Sequence, residues 1–112
     1  MKIIISDIFN KKYLHKLSRY FSVLEFSDKL KNYNNNICLK YPHFKFKLKI
    51  KSVEFRGVIL IKDNKYIIPL IICLKKNKNC GENIIWTKYE KEILIMAKKV
   101  LLDIETKKYE VY

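Results

Sequence analysis

A chain of 112 residues, 49% of them hydrophobic, can bury one core without help from disulfides or metal, and it reads as a single domain over residues 1–112. Only two Gly and two Pro exclude a low-complexity or disordered chain. Against 11 acidic residues stand 24 Lys and Arg, a formal charge of +13, so the expected partner is a polyanion or an acidic protein.

Lysine richness can follow from an AT-rich genome as well as from function. The two arginines, Arg19 and Arg56, therefore carry more information, because the guanidinium fork can hold a phosphate with two bonds. Cys38, Cys73 and Cys80 are odd in number and widely spaced, which is the usage of free thiols in a reducing compartment. The apolar run after Met1 is too short for a signal peptide, and no stretch approaches the length of a membrane span. The expectation is a soluble cytoplasmic protein with no membrane partner.

In chain order, residues 2–6 are a short β-branched run and predict a first strand. Ser6 and Asp7 suit a helix start, and Phe9, Tyr13, Leu17 and Tyr20 then lie on one stripe of a helix of about three turns. Ser22 and Glu25 form a capping box, with Phe21 and Phe26 spaced for the hydrophobic staple around it, so a second helix is predicted over 23–33. Asn34, Asn35 and Asn36 end it, completing a helical hairpin.

From Phe44 the period changes to two. Phe44, Phe46, Leu48 and Ile50 alternate with Lys45, Lys47, Lys49 and Lys51 in a half-buried strand. A turn near Ser52-Val53 leads to a strand over 54–62, and Asp63-Asn64 is a hairpin turn because both residues tolerate positive φ. The strand over 66–74 is apolar on both faces, and Pro69 within it predicts a bulge or a locally free side. These turns set Lys49 opposite Arg56 and Ile59 opposite Ile68. One sheet face is then apolar and covered by the helices, while the other gathers Lys45, Lys47, Lys49, Lys51, Arg56, Lys62, Lys65 and Lys75. Residues 75–83 are a polar loop. Thr87 and Glu90 form another capping box, opening a helix that reaches about Asp103 with Tyr89, Ile93, Met96, Ala97 and Val100 on its packing stripe. The last residues, from Thr106, are either a final strand or frayed. The fold class is α+β: a small antiparallel meander, an N-terminal helical hairpin on one face and a C-terminal helix.

Clustered cations around Lys47, Lys49 and Arg56 attract phosphate by electrostatics alone. They also permit catalysis. Neighbouring cations and partial burial make a lysine a better acid–base group near neutral pH, and an adjacent arginine can hold the charge of a phosphorane-like transition state. The substrate's own 2′-hydroxyl would supply the nucleophile. A strand that alternates apolar and Lys is by itself the pattern of any solvated sheet face, and it is the overall charge and Arg56 that move the reading toward a binding surface. Its strands lack the aromatic residues that single-stranded RNA usually stacks on. His15 reads as an exposed basic residue, His43 as a residue at the rim of the basic face, and Trp86 as a core anchor rather than a stacking platform. No paired carboxylates and no His-Cys cluster stand at metal spacing, and no glycine loop cradles a phosphate, so no metal and no cofactor are expected.

The order β-α-α-β-β-β with a basic meander resembles the RelE/ParE toxin superfamily, and the likeness covers nearly the whole chain. Phe55-Arg56-Gly57-Val58-Ile59-Leu60 is similar to the family strand in which an arginine opens an apolar run. The lysine-rich segment from Lys75 through Asn83-Ile84, followed by Thr87 and Glu90, is similar to the loop and closing helix of the RelE/HigB branch. The resemblance implies a type II toxin that cleaves mRNA in the ribosome and is wrapped by a cognate antitoxin. It makes Arg56 the transition-state arginine, assigns Lys47 or Lys49 and Lys75 to the basic catalytic set, and leaves Tyr109 or Tyr112 as the late tyrosine, with Tyr112 taken for the site. Lys45, Lys51, Lys62, Lys65, Lys76, Lys78 and His43 would line the RNA path. The helix opening at Thr87 departs from the shorter RelE pattern. The competing expectations are a ParE-like inhibitor of DNA gyrase and a basic RNA-binding module that leaves RNA whole.

Overall fold

The computed structural model describes residues 1–32, 36–76 and 84–112. Its elements are β1 (Lys2–Ser6), α1 (Asp7–Phe9), α2 (Val23–Lys31), β2 (Ile37–Lys40), β3 (His43–Ile50), β4 (Val53–Lys62), β5 (Tyr66–Leu74), α3 (Trp86–Glu105) and β6 (Tyr109–Val111). Six strands form one sheet in the order β2-β3-β4-β5-β1-β6, antiparallel except where β1 runs parallel to β5. The α+β class and the antiparallel meander from β3 to β5 are as expected. The edge strand β2, the parallel insertion of β1 and the pairing of β6 on β1 extend it.

Ser6 caps α1, its Oγ accepting from the Phe9 N–H at 3.2 Å, and Asp103 of α3 accepts from the Ile8 N–H at 2.7 Å. The expected three-turn helix changes form along its length. After α1 the chain widens into a π-helical stretch, Asn10–Leu14, and then tightens into a 3-10 turn, His15–Leu17. Phe9, Leu14 and Leu17 are buried, with Tyr13 and Tyr20 half-buried beside them. Ser22 caps α2 through the Glu25 N–H at 3.1 Å, and Phe21 stacks on Phe26 at 5.5 Å as the staple requires. Ser22→Ala should lower stability by about 1 kcal/mol. In urea titrations this appears as a lower midpoint at unchanged slope, and an unchanged midpoint would mean that the cap is idle.

Both sheet faces are covered, by different elements. The N-terminal helical segments pack Phe9, Leu17, Phe26 and Leu30 on Phe46, Leu48, Phe55 and Ile72. On the opposite face α3 packs Ile93, Met96, Ala97 and Val100 on Val58, Leu60, Ile68 and Ile71. This explains why β5 is apolar throughout: it is central and roofed on both sides. It also corrects the picture of one wholly basic face, since α3 occupies part of it. The α3 helix begins at Trp86, so Thr87 lies inside it and the expected Thr87 cap is not formed.

Two turns shift the register. Lys51 and Ser52 take positive φ, 50° and 68°, so the β3–β4 turn falls one residue earlier than expected and the pairing slides by two. Lys47 therefore faces Arg56, and Lys49 faces Glu54. Between β4 and β5 the turn is Asp63-Asn64-Lys65, closed by the Lys65 N–H on the Lys62 carbonyl, and Ile61 pairs with Ile67 rather than Tyr66. A register shift between Val58 and Ile59 lies opposite the Pro69–Ile71 stretch, which is the bulge that Pro69 predicts. Cys73 is disulfide-bonded, with its partner outside the described residues, while Cys38 is a free exposed thiol. The expectation of three free thiols is corrected there, and with it the argument for a reducing compartment. Among the described residues no helix is long and apolar enough to cross a membrane.

Candidate phosphate-binding recess

Where α3 leaves the sheet uncovered, the ends of β3, β4 and β5 form an open recess of about 250 Å³, lined by Lys47, Leu48, Lys49, Glu54, Phe55, Arg56 and Lys75. Among the described residues four cations and one carboxylate meet there. The alternation of β3 puts Lys47 and Lys49 on this face while Leu48 points into the core. Arg56 stands between Lys47 on one side and Cys73 on the other. Its side chain is half-buried, and among the described residues its guanidinium makes no hydrogen bond or ion pair. A half-buried guanidinium without a described partner, beside an exposed lysine, is a ready anion site.

Glu54 is the residue that sequence reasoning missed. Lys75 Nζ lies 2.8 Å from Glu54 Oε2, and the Lys75 N–H donates to the Glu54 carbonyl at 3.0 Å. The hydrogen bond and charge of Lys75 hold the Glu54 carboxyl below the usual carboxylate range, with Lys49 and Arg56 adding to the effect. Its alternation with Arg56 across Phe55 was the available signal, but the expected register set it opposite Lys51 at the turn, away from Lys49 and Lys75. Lys47 and Lys49 are exposed, so neither has the burial on which a lysine base was to rest.

Other expected residues lie elsewhere. Lys51 turns toward α2 and sits 3.4 Å from Glu25. Lys62 and Lys65 are exposed at the β4–β5 turn, the far end of β4 from Arg56. Lys76 is exposed just beyond Lys75, and Lys78 lies outside the described residues. Tyr112 is three strands from β4, exchanging both backbone hydrogen bonds with Ile3 and packing on the helix-covered core. Tyr109 pairs with Ser6 on the same outer edge. The late-tyrosine assignment is therefore corrected: neither reaches the recess.

His43 is buried rather than at an open rim, 7% exposed, and its ring lies 5.2 Å from that of Trp86. Its Nδ1 lies 3.1 Å from the Lys40 carbonyl, which fixes the proton on Nδ1, and burial pushes its pKa down. Lys45 is half-buried between His43 and Lys47 on β3. Among the described residues no group of three or more His, Cys, Asp or Glu side chains comes together to hold a metal ion.

No family model matches the chain, and comparison with curated proteins and with solved structures likewise finds no match.

Proposed function

We propose that this protein is a metal-independent endoribonuclease of the RelE-like toxin kind, cutting mRNA in the ribosome and neutralised by a cognate antitoxin. The observation that carries the reading is the convergence of Lys47, Lys49, Arg56 and Lys75 around the Glu54 carboxylate in one open recess. Lys47 and Arg56 hold the non-bridging oxygens of a phosphodiester, and the charge they offset grows as phosphorus becomes five-coordinate. The phosphate draws Lys75 from Glu54, which frees the carboxylate and restores its basicity. Glu54 then takes the proton of the 2′-hydroxyl as the 2′-oxygen bonds to phosphorus. The bond from phosphorus to the 5′-oxygen breaks, and the Lys75 ammonium gives that oxygen its proton. The products are a 2′,3′-cyclic phosphate and a 5′-hydroxyl.

The antitoxin follows from the same charge. An acidic segment laid over this recess would associate quickly and exclude RNA.

One observation favours a second reading, a basic module that binds nucleic acid or a protein target without cutting. Among the described residues no histidine or tyrosine lines the recess, so proton transfer there rests on Glu54 and lysines. Primer extension on mRNA from cells briefly expressing the wild type or Arg56→Ala separates the two. Discrete translation-dependent cuts that vanish with Arg56→Ala are the expected result. Growth arrest without cuts would transfer the reading to target blocking, of gyrase or another protein.

A further inference from the structure

We infer that the chain carries a nucleobase-stacking subsite at Trp86, joined to the phosphate recess by a basic track along β3; it rests on the recess being a nucleic-acid site. Trp86 opens α3 and packs on the core under that helix, yet its ring is only half-buried. Beside it stand Lys40, the last residue of β2, and His43, the first of β3. The His43 ring lies 5.2 Å away, and the exposed Lys40 places Nζ 5.8 Å from the indole centroid. His43 braces the indole from within the core, since burial and the Lys40 carbonyl hold its ring fixed. Lys40 is a loosely held cover, because a solvent-exposed cation–π contact is weak.

The connection to the recess is geometric. His43, Lys45 and Lys47 point to the same side of β3, so the Trp86 cluster and the Arg56 site are about 13 Å apart along the strand. Lys45 fills the interval, and Lys49 continues the line beyond. A single strand that sets one phosphate between Lys47 and Arg56 therefore runs past Lys45 and lays a neighbouring base on the indole. Lys40 swings from the ring to the adjoining phosphate. Ile85 supplies no side-chain cap to α3 and no acidic residue stands in its first turn, so the helix terminus beside the ring also favours an anion. The stacking is tolerant of base identity, because every base offers a π-face.

Trp86 is the sole tryptophan of the chain, so its emission reports the subsite directly. The test titrates the full chain with a short single-stranded oligoribonucleotide and, separately, with inorganic polyphosphate of equal charge. The expected result is that both bind but only the oligonucleotide quenches Trp86. Trp86→Ala should weaken oligonucleotide binding about ten-fold or more and leave polyphosphate binding unchanged, with Trp86→Phe recovering most of the loss. Because Trp86→Ala loses core packing too, the quenching of the wild type and the Phe variant decide the matter if the Ala variant unfolds. Oligonucleotide binding that leaves Trp86 emission untouched overturns the subsite while the recess stands. Quenching supports the subsite whether or not the free oligonucleotide is cut, because the nuclease reading places cutting in the ribosome. Equal quenching by polyphosphate overturns it.

Discussion

Gly57→Ala will destabilise the protein by about 3 kcal/mol or more, the upper range for overpacking a core position. A Cβ at Gly57 would collide with the Ile71 carbonyl oxygen and stand 2.5 Å from Cζ of Phe46. The Phe46 ring lies over Gly57, its direct cross-strand partner, and Phe46 itself is wedged under Phe26. Neither obstacle can yield cheaply. The carbonyl belongs to the central β5 backbone, and the ring is 1% exposed in the core. In a thermal melt the midpoint should fall by about 10 °C or more. Phe46→Leu on top of Gly57→Ala should restore only part, since it clears the ring but not the carbonyl. A Gly57→Ala protein that melts with the parent would mean that the Phe46 ring does not occupy this position. The consequence reaches the recess, because Arg56 is the neighbouring residue of β4 and moves with it.

The packing of Phe46 on Gly57 could not be read from the sequence, and the reason is the β3–β4 turn. The alternation of β3 was legible because apolar and lysine residues strictly interleave, and both faces came out as expected. The turn was not, because Lys51 and Ser52 adopt the left-handed region without a glycine or asparagine to advertise it. Placing it one residue late displaced the pairing by two, which preserves the faces but changes every partner. Lys49 lost Arg56 and gained Glu54, and the carboxylate of the recess went unnoticed. By contrast, Asp63 and Asn64 do advertise their turn, and Pro69 its bulge, so β4–β5 was legible to within one residue. The two cap serines, Ser6 and Ser22, were found because capping is local chemistry. What remained hidden is tertiary. Nothing local says that β1 inserts beside β5, that α3 crosses the lysine face, or that the chain's last residues close the far edge and take Tyr112 away from Arg56.

The carboxylate gives the sharpest separation between cutting and binding. Glu54→Gln should reduce RNA cleavage by two to four orders of magnitude, roughly the contribution of a positioned general base. The same change should leave RNA affinity unchanged or raise it, because it removes the one negative charge that lines the recess among the described residues and frees Lys75 for phosphate. A residue whose role is merely to hold Lys75 in place would show the opposite pairing, with affinity and cleavage falling together. The pH profile carries the second signature. Since Lys75, Lys49 and Arg56 keep the Glu54 carboxyl below its ordinary range, it stays ionised, in the form that can accept a proton, as the pH falls through that range. The acidic limb of kcat/KM, which reports the free enzyme, should accordingly lie below the usual carboxylate value of about 4.3 and be absent in Glu54→Gln. Lys75→Ala removes the largest source of that depression, so the limb should move upward toward the ordinary value while the rate at its plateau drops with the lost proton donor. If Glu54→Gln cuts RNA at the wild-type rate with an unchanged limb, the base lies elsewhere, and Glu54 is only the counter-ion that keeps four cations together.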